Sequence, residues 1–387
     1  MQDFTTLTDI VLEKLTTIFV VINNDGQIEF VSPSVKKILG YEPYNLLGEG
    51  WYNLTRNNPE ERGKVKSFIG GLLAHPSEST RSFEHLLKTA AGGYKWILWN
   101  SSTGPEGSLV VVGTDITERK NTEQQLAQRN RELQARNTEM LDSITYATRI
   151  QQAILPEIQS IKKSFKEAFV LYKPKDLVSG DFYWHYERGN KTFVAAVDCT
   201  GHGVPGALMS IIANSILKGI VVKGGADNPQ EILHLLDQEL ALALTKEDGI
   251  TMSDGMDISL CVFDKGTQTL EFAGAFRPLI LVRNGEITEY KGSRYPIGFY
   301  KDIPKEFQSI EIPLEPDDSF YLFSDGYIDQ FGGEQGKKLN KARFKELLLM
   351  VQSMEMDEQE AFLDYSLLNW QQGEEQTDDV LVIGLKW

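Results

Sequence analysis

The run Asp198-Cys199-Thr200-Gly201-His202-Gly203-Val204-Pro205-Gly206-Ala207 limits what this chain can fold into more than any other stretch. It follows Thr192 to Val197, an apolar, β-prone run that reads as a buried strand. It precedes Leu208 to Leu217, which reads as a helix. Three glycines within six residues let the backbone approach a ligand closely. An aspartate at a strand end is held rigidly yet opens to solvent, which suits a hard cation. Taken alone, the run reads equally as a Gly-rich turn capped by Asp198. The rest of the chain decides between the two.

At 387 residues the chain exceeds one ordinary domain, and two or three are expected. Cys199 and Cys261 are the only cysteines. They make no disulfide framework and fit a reduced, cytoplasmic setting. No apolar run reaches the roughly 18 residues of a membrane span. Met1-Gln2-Asp3-Phe4 lacks the basic region and apolar core of a signal sequence, so no membrane attachment is expected. A net charge of -16 argues against non-specific nucleic-acid binding, which needs cationic patches. It fits a chain that collects divalent cations.

Residues 1–118 read as a helix over 7–17, two strands, short helices, then three strands. Ile18–Ile22 and Ile28–Val31 flank the turn Asn24-Asp25-Gly26. Helices are expected over Pro33–Leu39 and Pro59–Leu73, and strands over Ser82–Lys88, Tyr94–Ser101 and Ser108–Asp115. This order resembles the Per-Arnt-Sim (PAS) sensor fold, an antiparallel five-stranded sheet with helices. Val20–Ser32, Leu39-Gly40-Tyr41, Leu47-Gly48, Gly93–Trp96 and Gly113–Lys120 carry the resemblance. It implies a domain that binds a small ligand, flavin or haem, or that serves dimerisation. No cysteine precedes Cys199, which excludes cysteine–flavin photochemistry. His75 and His85 read as surface or strand residues rather than haem ligands. Trp51, Trp96 and Trp99 read as sheet packing, and no ligand is assigned.

Residues 119–155 read as a coiled-coil linker. Thr117 to Leu155 contains no proline or glycine. Leu126, Leu133, Met140, Ala147 and Ile154 recur every seven residues. Glu123, Asn130, Asn137 and Ile144 stand three residues before the first four. Leucine at d with asparagine at a favours a two-stranded parallel register. A parallel homodimer is expected through Leu126, Asn130, Leu133, Asn137, Met140 and Ile144, joining sensor to output. The helix would run roughly 55–60 Å.

Residues 156–387 read as strands, a helix pair, strands, helices and a last strand, an α+β sandwich of two sheets flanked by helices. Asp181, Asp198, Asp325 and Asp378 each stand in a turn beside an apolar strand. Asp254 and Asp257, extra acids beside a strand, would either support a third ion or be plain turn residues, and the turn reading is favoured. The set is similar to the metal-dependent phosphatase 2C class, in the bacterial branch typified by the sporulation stage II protein E phosphatase and the stress-response sigma-regulator phosphatases. Val178–Trp184, Asp198–Ala207, Pro296-Ile297-Gly298, Phe323–Asp329 and Thr377–Val380 carry the resemblance, in order.

That resemblance implies an α/β/β/α sandwich and two Mn²⁺ or Mg²⁺ ions sharing a water that attacks phosphorus in line. Its ligands would be Asp181, a bridging Asp198, the Cys199 carbonyl, Asp325 and Asp378, with Asp379 behind Asp378 or in its place. Hard oxygen donors suit these ions. His202 is either a proton donor to the leaving group or a loop histidine. Gly274-Ala275-Phe276-Arg277-Pro278 departs from the Gly-His pair of many members, and Arg277 is a candidate phosphate contact. The implied protein is a sensor-regulated phosphatase for phosphoserine or phosphothreonine on a signalling partner, with an anti-sigma-factor antagonist as the implied substrate. A non-catalytic scaffold is the alternative, which the retention of all four acids disfavours. A cyclase or kinase output would need a Gly-rich loop or kinase signature that the chain lacks.

Overall fold

Sequence periodicity produces strands and helices here in close to the expected order. A computed structural model describes residues 14, 16–75, 81–245, 254–298 and 304–387. The helix expected over 7–17 lies outside the described residues apart from positions 14, 16 and 17. The chain divides into two units, Met1–Asn137 and Thr138–Trp387.

The first unit holds strands β1 (Thr17–Ile22), β2 (Ile28–Val31), β3 (Ser82–Lys88), β4 (Tyr94–Thr103) and β5 (Leu109–Asp115). They form one antiparallel sheet in the order β2-β1-β5-β4-β3. Helices Ser34–Leu39, Gly50–Leu54 and Pro59–Ala74 connect β2 to β3. Asn58 starts the last of these: its side chain accepts from Glu61 N at 2.8 Å, and Pro59 occupies the first turn. Alternate residues of the strands, such as Ile18, Val20 and Ile22, join Leu72 and Leu87 in the core. Trp51 and Trp99 are buried there edge to face, 5.6 Å apart, as packing residues.

Asp115 turns the sheet into the long helix Thr117–Ile154. Its Oδ1 accepts from Thr117 N (3.0 Å) and Oγ1 (2.6 Å), and its Oδ2 from Lys95 Nζ (2.7 Å). The helix has 38 residues, so it runs about 57 Å at 1.5 Å per residue. Leu126, Leu133 and Met140 are exposed along it, at 59%, 58% and 63%.

The second unit has two five-stranded antiparallel sheets. One contains β7 (Asp181–Arg188), β8 (Lys191–Cys199), β9 (Met256–Asp264), β10 (Thr269–Ala275) and β13 (Ile310–Pro313), in the order β13-β10-β9-β8-β7. The other contains β6 (Glu167–Lys173), β11 (Leu279–Arg283), β12 (Glu286–Tyr290), β14 (Ser319–Phe323) and β17 (Val380–Lys386), in the order β12-β11-β14-β17-β6. A small ribbon pairs β15 (Phe331–Gly332) with β16 (Lys337–Lys338). Period-two side chains divide β8 between two cores. Val194 and Ala196 meet Phe263, Phe320 and Ile383 of the inter-sheet core. Phe193, Ala195 and Val197 meet Leu217, Leu236 and Leu240 of the helices Gly203–Lys218 and Pro229–Ala243. The outer face of the other sheet packs Phe169 and Tyr321 against Phe344, Leu363 and Leu367 of the helices Asn340–Met350 and Met356–Gln371. The result is the expected α/β/β/α sandwich. Burial on both faces explains why β8 reads as one continuous apolar run.

One expectation needs correction. The helical stretch Gly203–Lys223, 21 residues with a mean hydropathy of 1.6, is long and apolar enough to cross a membrane by length and composition. Half of it is buried inside the unit, where Met209, Ala213, Leu217 and Val221 cover the sheet. Its apolar character is accounted for by that packing. Ser210, Asn214 and Ser215 interrupt the run, which is why it looks shorter in sequence.

The last turns of the long helix are fastened to this unit. Gln151 is the helix's only buried residue. Its Nε2 donates to the Ser179 carbonyl (2.6 Å) and to Ser210 Oγ (2.9 Å), and its Oε1 accepts from Ser179 N (3.1 Å). One side chain therefore holds both the loop before β7 and the helix that follows β8. Gln151→Ala strands the buried Ser179 amide and carbonyl, and a loss of about 1–3 kcal/mol is expected. The thermal unfolding midpoint of the full chain checks this.

Candidate metal centre

Antiparallel register sets the core of the site. Asp181 on β7 stands opposite Asp198 on β8, and Asp198 stands opposite Asp257 on β9. Like charges directly opposed across strands are destabilising, so a row of three calls for a cation. Tight glycine contacts place the row. A Cβ on Gly206 would fall 2.1 Å from the Gly201 carbonyl, and one on Gly180 2.5 Å from the same oxygen. Only bare backbone lets the loop after Asp198 lie against the residue before Asp181.

The second sheet contributes from the ends of β14 and β17, which are neighbours. A Cβ on Gly326 would meet the Asp379 carbonyl at 1.9 Å, so Asp325 is drawn close to the Asp378-Asp379 pair. Asp198, Cys199, His202, Asp257, Arg277, Asp325 and Asp378 line a single pocket. Asp181 lies beneath it, 2% exposed, with an Oδ2 that has no hydrogen-bond partner. The four acids singled out in the sequence thus converge.

Two adjacent acids take different parts. Asp379 is buried, and its carboxylate accepts from Lys175 N and Gly180 N, both at 2.7 Å. It holds the loop that carries Asp181. Asp378 faces the pocket and accepts from Asp379 N at 2.8 Å.

The structure adds two residues to the site. Asp257, read as a turn residue, completes the row. The signal was present: Gly255-Met256-Asp257 opens an apolar strand much as Gly180-Asp181 does. Asp254 stays in the adjoining loop, where Thr200 Oγ1 donates to it at 3.4 Å. Arg277, read as a candidate phosphate contact, instead lies among the acids. Its Nη2 is 2.7 Å from both Asp198 Oδ2 and Asp325 Oδ2, and 3.1 Å from Asp257 Oδ2. Phe276, at a φ of 59°, turns the chain so that Arg277 points inward.

Electrostatics follow from this crowding. Burial, then Asp198, pushes Asp181 well above the usual carboxylate range. Burial pushes Asp198 up to about 7, with Arg277 opposing and Asp325, Asp257 and Asp378 adding. Burial also pushes Asp257 up to about 6, against Arg277. Burial alone would lower the Arg277 guanidinium, but Asp198, Asp325 and Asp257 outweigh it and push it up. His202 Nδ1 lies 2.8 Å from Asp176 Oδ2 at the rim.

These donors fit a hard divalent cation: every charged donor is a carboxylate oxygen, and one buried oxygen has no partner. Among the described residues, no three or more His, Cys, Asp or Glu groups are already gathered so as to hold a metal ion. The Arg277 guanidinium stands between Asp198, Asp257 and Asp325.

Fold and site together define a phosphatase 2C-like domain. Residues 188–387 match the family model described as stage II sporulation protein E (SpoIIE), and the chain belongs to this family. Among solved structures, the SiaA-PP2C domain of Pseudomonas aeruginosa is 34% identical, with a TM-score of 0.59. That match covers 65% of this chain and 99% of the other. The SpoIIE phosphatase domain with a regulatory fragment from Bacillus subtilis is 19% identical, at TM-score 0.47, covering 57% and 62%. The RsbU and RsbW domains of Rv1364c from Mycobacterium tuberculosis are 17% identical, at 0.45, covering 57% and 61%. No curated protein matches the chain. The fold implies a serine/threonine protein phosphatase, a family that uses divalent metal ions.

The raised aspartates fix the sign of a pH dependence. Between about pH 4 and 7 the folded chain keeps protons that the unfolded chain has released. Metal-free protein should therefore lose stability as pH rises through this window. Thermal unfolding in EDTA at pH 5 and pH 8 measures it. Added Mn²⁺, which binds deprotonated carboxylates, should raise the midpoint more at pH 8 than at pH 5.

Proposed function

We propose that this chain is a sensor-regulated, metal-dependent phosphatase that hydrolyses phosphoserine or phosphothreonine on a signalling partner. The observation that carries the reading is the in-register row Asp181, Asp198, Asp257, with Asp325 and Asp378 facing it from the second sheet. Asp181, a bridging Asp198, the Cys199 carbonyl, Asp325 and Asp378 would hold two Mn²⁺ or Mg²⁺ ions, with Asp257 beside them and Asp379 fixing the loop. Such ions, when bound, neutralise phosphoryl charge and lower the pKa of water. Asp176 orients His202, whose ring donates a proton to the departing seryl or threonyl oxygen. Arg277 leaves the carboxylates for the phosphoryl oxygens, which its planar fork suits.

In the same reading, residues 1–118 are a PAS sensor, 119–155 a parallel coiled coil and 156–387 the phosphatase. The strand order β2-β1-β5-β4-β3 and the exposed Leu126, Leu133 and Met140 support it. Asn130, Asn137 and Ile144 complete the seam. Coil geometry acts through Gln151 on the Ser210 helix and on the loop before Asp181. An anti-sigma-factor antagonist is the substrate that the family resemblance suggests. Buried Cys199 and Cys261 fit a cytoplasmic setting.

Hydrolysis of p-nitrophenyl phosphate by the full chain should require Mn²⁺ or Mg²⁺. Asp198→Asn should lower it on the order of a thousandfold. Metal-independent turnover, or full activity in that variant, contradicts the reading. Light scattering should give twice the 43.6 kDa chain mass, and Leu133→Glu should return the monomer.

A further inference from the structure

Two side chains of the acidic pocket take no part in holding its carboxylates. Arg294 and Phe276 line it together with Asp198, Asp257, Asp325 and Asp378. Arg277 is the other guanidinium of the lining, and three of those acids hold it. Arg294 is exposed, and among the described residues it makes no hydrogen bond or ion pair.

The backbone under both residues is fixed. Phe276 N donates to the Ser293 carbonyl at 2.9 Å, and Ser293 N donates to the Gly274 carbonyl at 2.7 Å. Three residues after Arg294, Ile297 exchanges two hydrogen bonds of 2.9 Å with Met256. The segment 293–297 is thereby strung from the end of β10 to the start of β9, whose Asp257 belongs to the row of acids. A Cβ on Gly292 would lie 2.6 Å from the Arg277 carbonyl, so bare backbone brings this segment against the turn that carries Phe276.

Phe276 is the less expected of the two. Its φ of 59° aims Arg277, but glycine or asparagine would make that turn with less strain. The ring is not spent on packing, since it is 55% exposed. A strained, exposed aromatic beside an unpaired guanidinium suits a ligand with a carboxylate and an apolar stem. The phosphoryl group is provided for among the acids, by the ions and by Arg277 of the proposed reading. What remains for the rim is the polypeptide on either side of the phosphoresidue. An acidic neighbour there would be repelled by the pocket's carboxylates, and Arg294 is the group that offsets this.

We propose, resting on the phosphatase reading of this pocket, that Arg294 and Phe276 select phosphopeptides with an acidic side chain within two residues of the phosphoserine or phosphothreonine. The carboxylate lies on the Arg294 fork, and Phe276 covers the peptide stem between the two charged groups.

Phosphoserine peptides that differ only in Glu or Lys, placed singly at each of the two positions on either side, test this on the Mn²⁺-loaded full chain. At one position at least, Glu should be favoured roughly three- to tenfold in kcat/KM, since the swap exchanges a partly exposed attraction for a repulsion. Arg294→Glu should reverse the preference, a ratio that any common loss of activity leaves untouched. Phe276→Asn, which keeps the left-handed turn, should raise the KM of the favoured peptide several-fold. Circular dichroism checks that both variants fold; if either does not, the Glu-to-Lys ratio of the unaltered chain decides. p-Nitrophenyl phosphate has no flanking residues and separates the two readings. If it is hydrolysed while Glu and Lys peptides react alike, or folded Arg294→Glu keeps the preference for Glu, the selection is overturned and the phosphatase reading stands. An unchanged KM in folded Phe276→Asn overturns the part given to Phe276. If nothing is hydrolysed, both readings fall.

Discussion

Mutual repulsion among aspartates is the constraint on which the second unit depends. Three strands are paired so that Asp181, Asp198 and Asp257 stand side by side, and the turn after β14 brings a fourth carboxylate to them. Such a row does not serve stability, since each opposed pair of charged acids is unfavourable. Everything around it is built to hold the arrangement. Two sheets supply rigid strand ends, helices cover both outer faces, and bare glycine backbone closes the loops. Asp379 satisfies two backbone amides that would otherwise leave the Asp181 loop untied. The cost of the acids is balanced in this structure by one guanidinium, which touches three of them.

That balance gives Arg277 a double character. A guanidinium satisfies carboxylates by hydrogen bonds in a plane, whereas a hard divalent ion gathers oxygens from all sides. The two cannot share one position. The same carboxylates therefore favour either an internal cation or external ones. Ions held as proposed would also meet Asp181 Oδ2, which Arg277 leaves unpartnered. Gln151 ties the long helix to the loop before Asp181 and to the helix after Asp198.

Much of this was legible in the residue order, for physical reasons. Asp181, Asp198, Asp325 and Asp378 each stand in a turn beside an apolar strand, and the first three beside a glycine, and those local signals survive folding. The two-sheet sandwich followed from the alternation of strands and helices. Asp257 was favoured as a turn residue because its place in the row depends on pairing across three strands, a non-local fact. The contacts of Arg277 with Asp198, Asp257 and Asp325 were not legible because a left-handed Phe276, not its own neighbours in sequence, aims it. Asp378 and Asp379 are alike as letters; only the amides of Lys175 and Gly180 distinguish them. The change of composition over Tyr146–Leu155 pointed to packing on the segment that follows, but nothing local singled out Gln151 as the residue that is buried there. The helix after Asp198 begins at Gly203, ahead of the expected Leu208, since Pro205 needs no amide partner in a first turn.

Manganese anomalous scattering from crystals grown with saturating Mn²⁺ tests the central claim most directly. The account predicts strong peaks bounded by Asp181, Asp198, Asp325 and Asp378, with Arg277 withdrawn from Asp198 and Asp325. A pocket without manganese, in which Arg277 still bridges those two carboxylates, would contradict it.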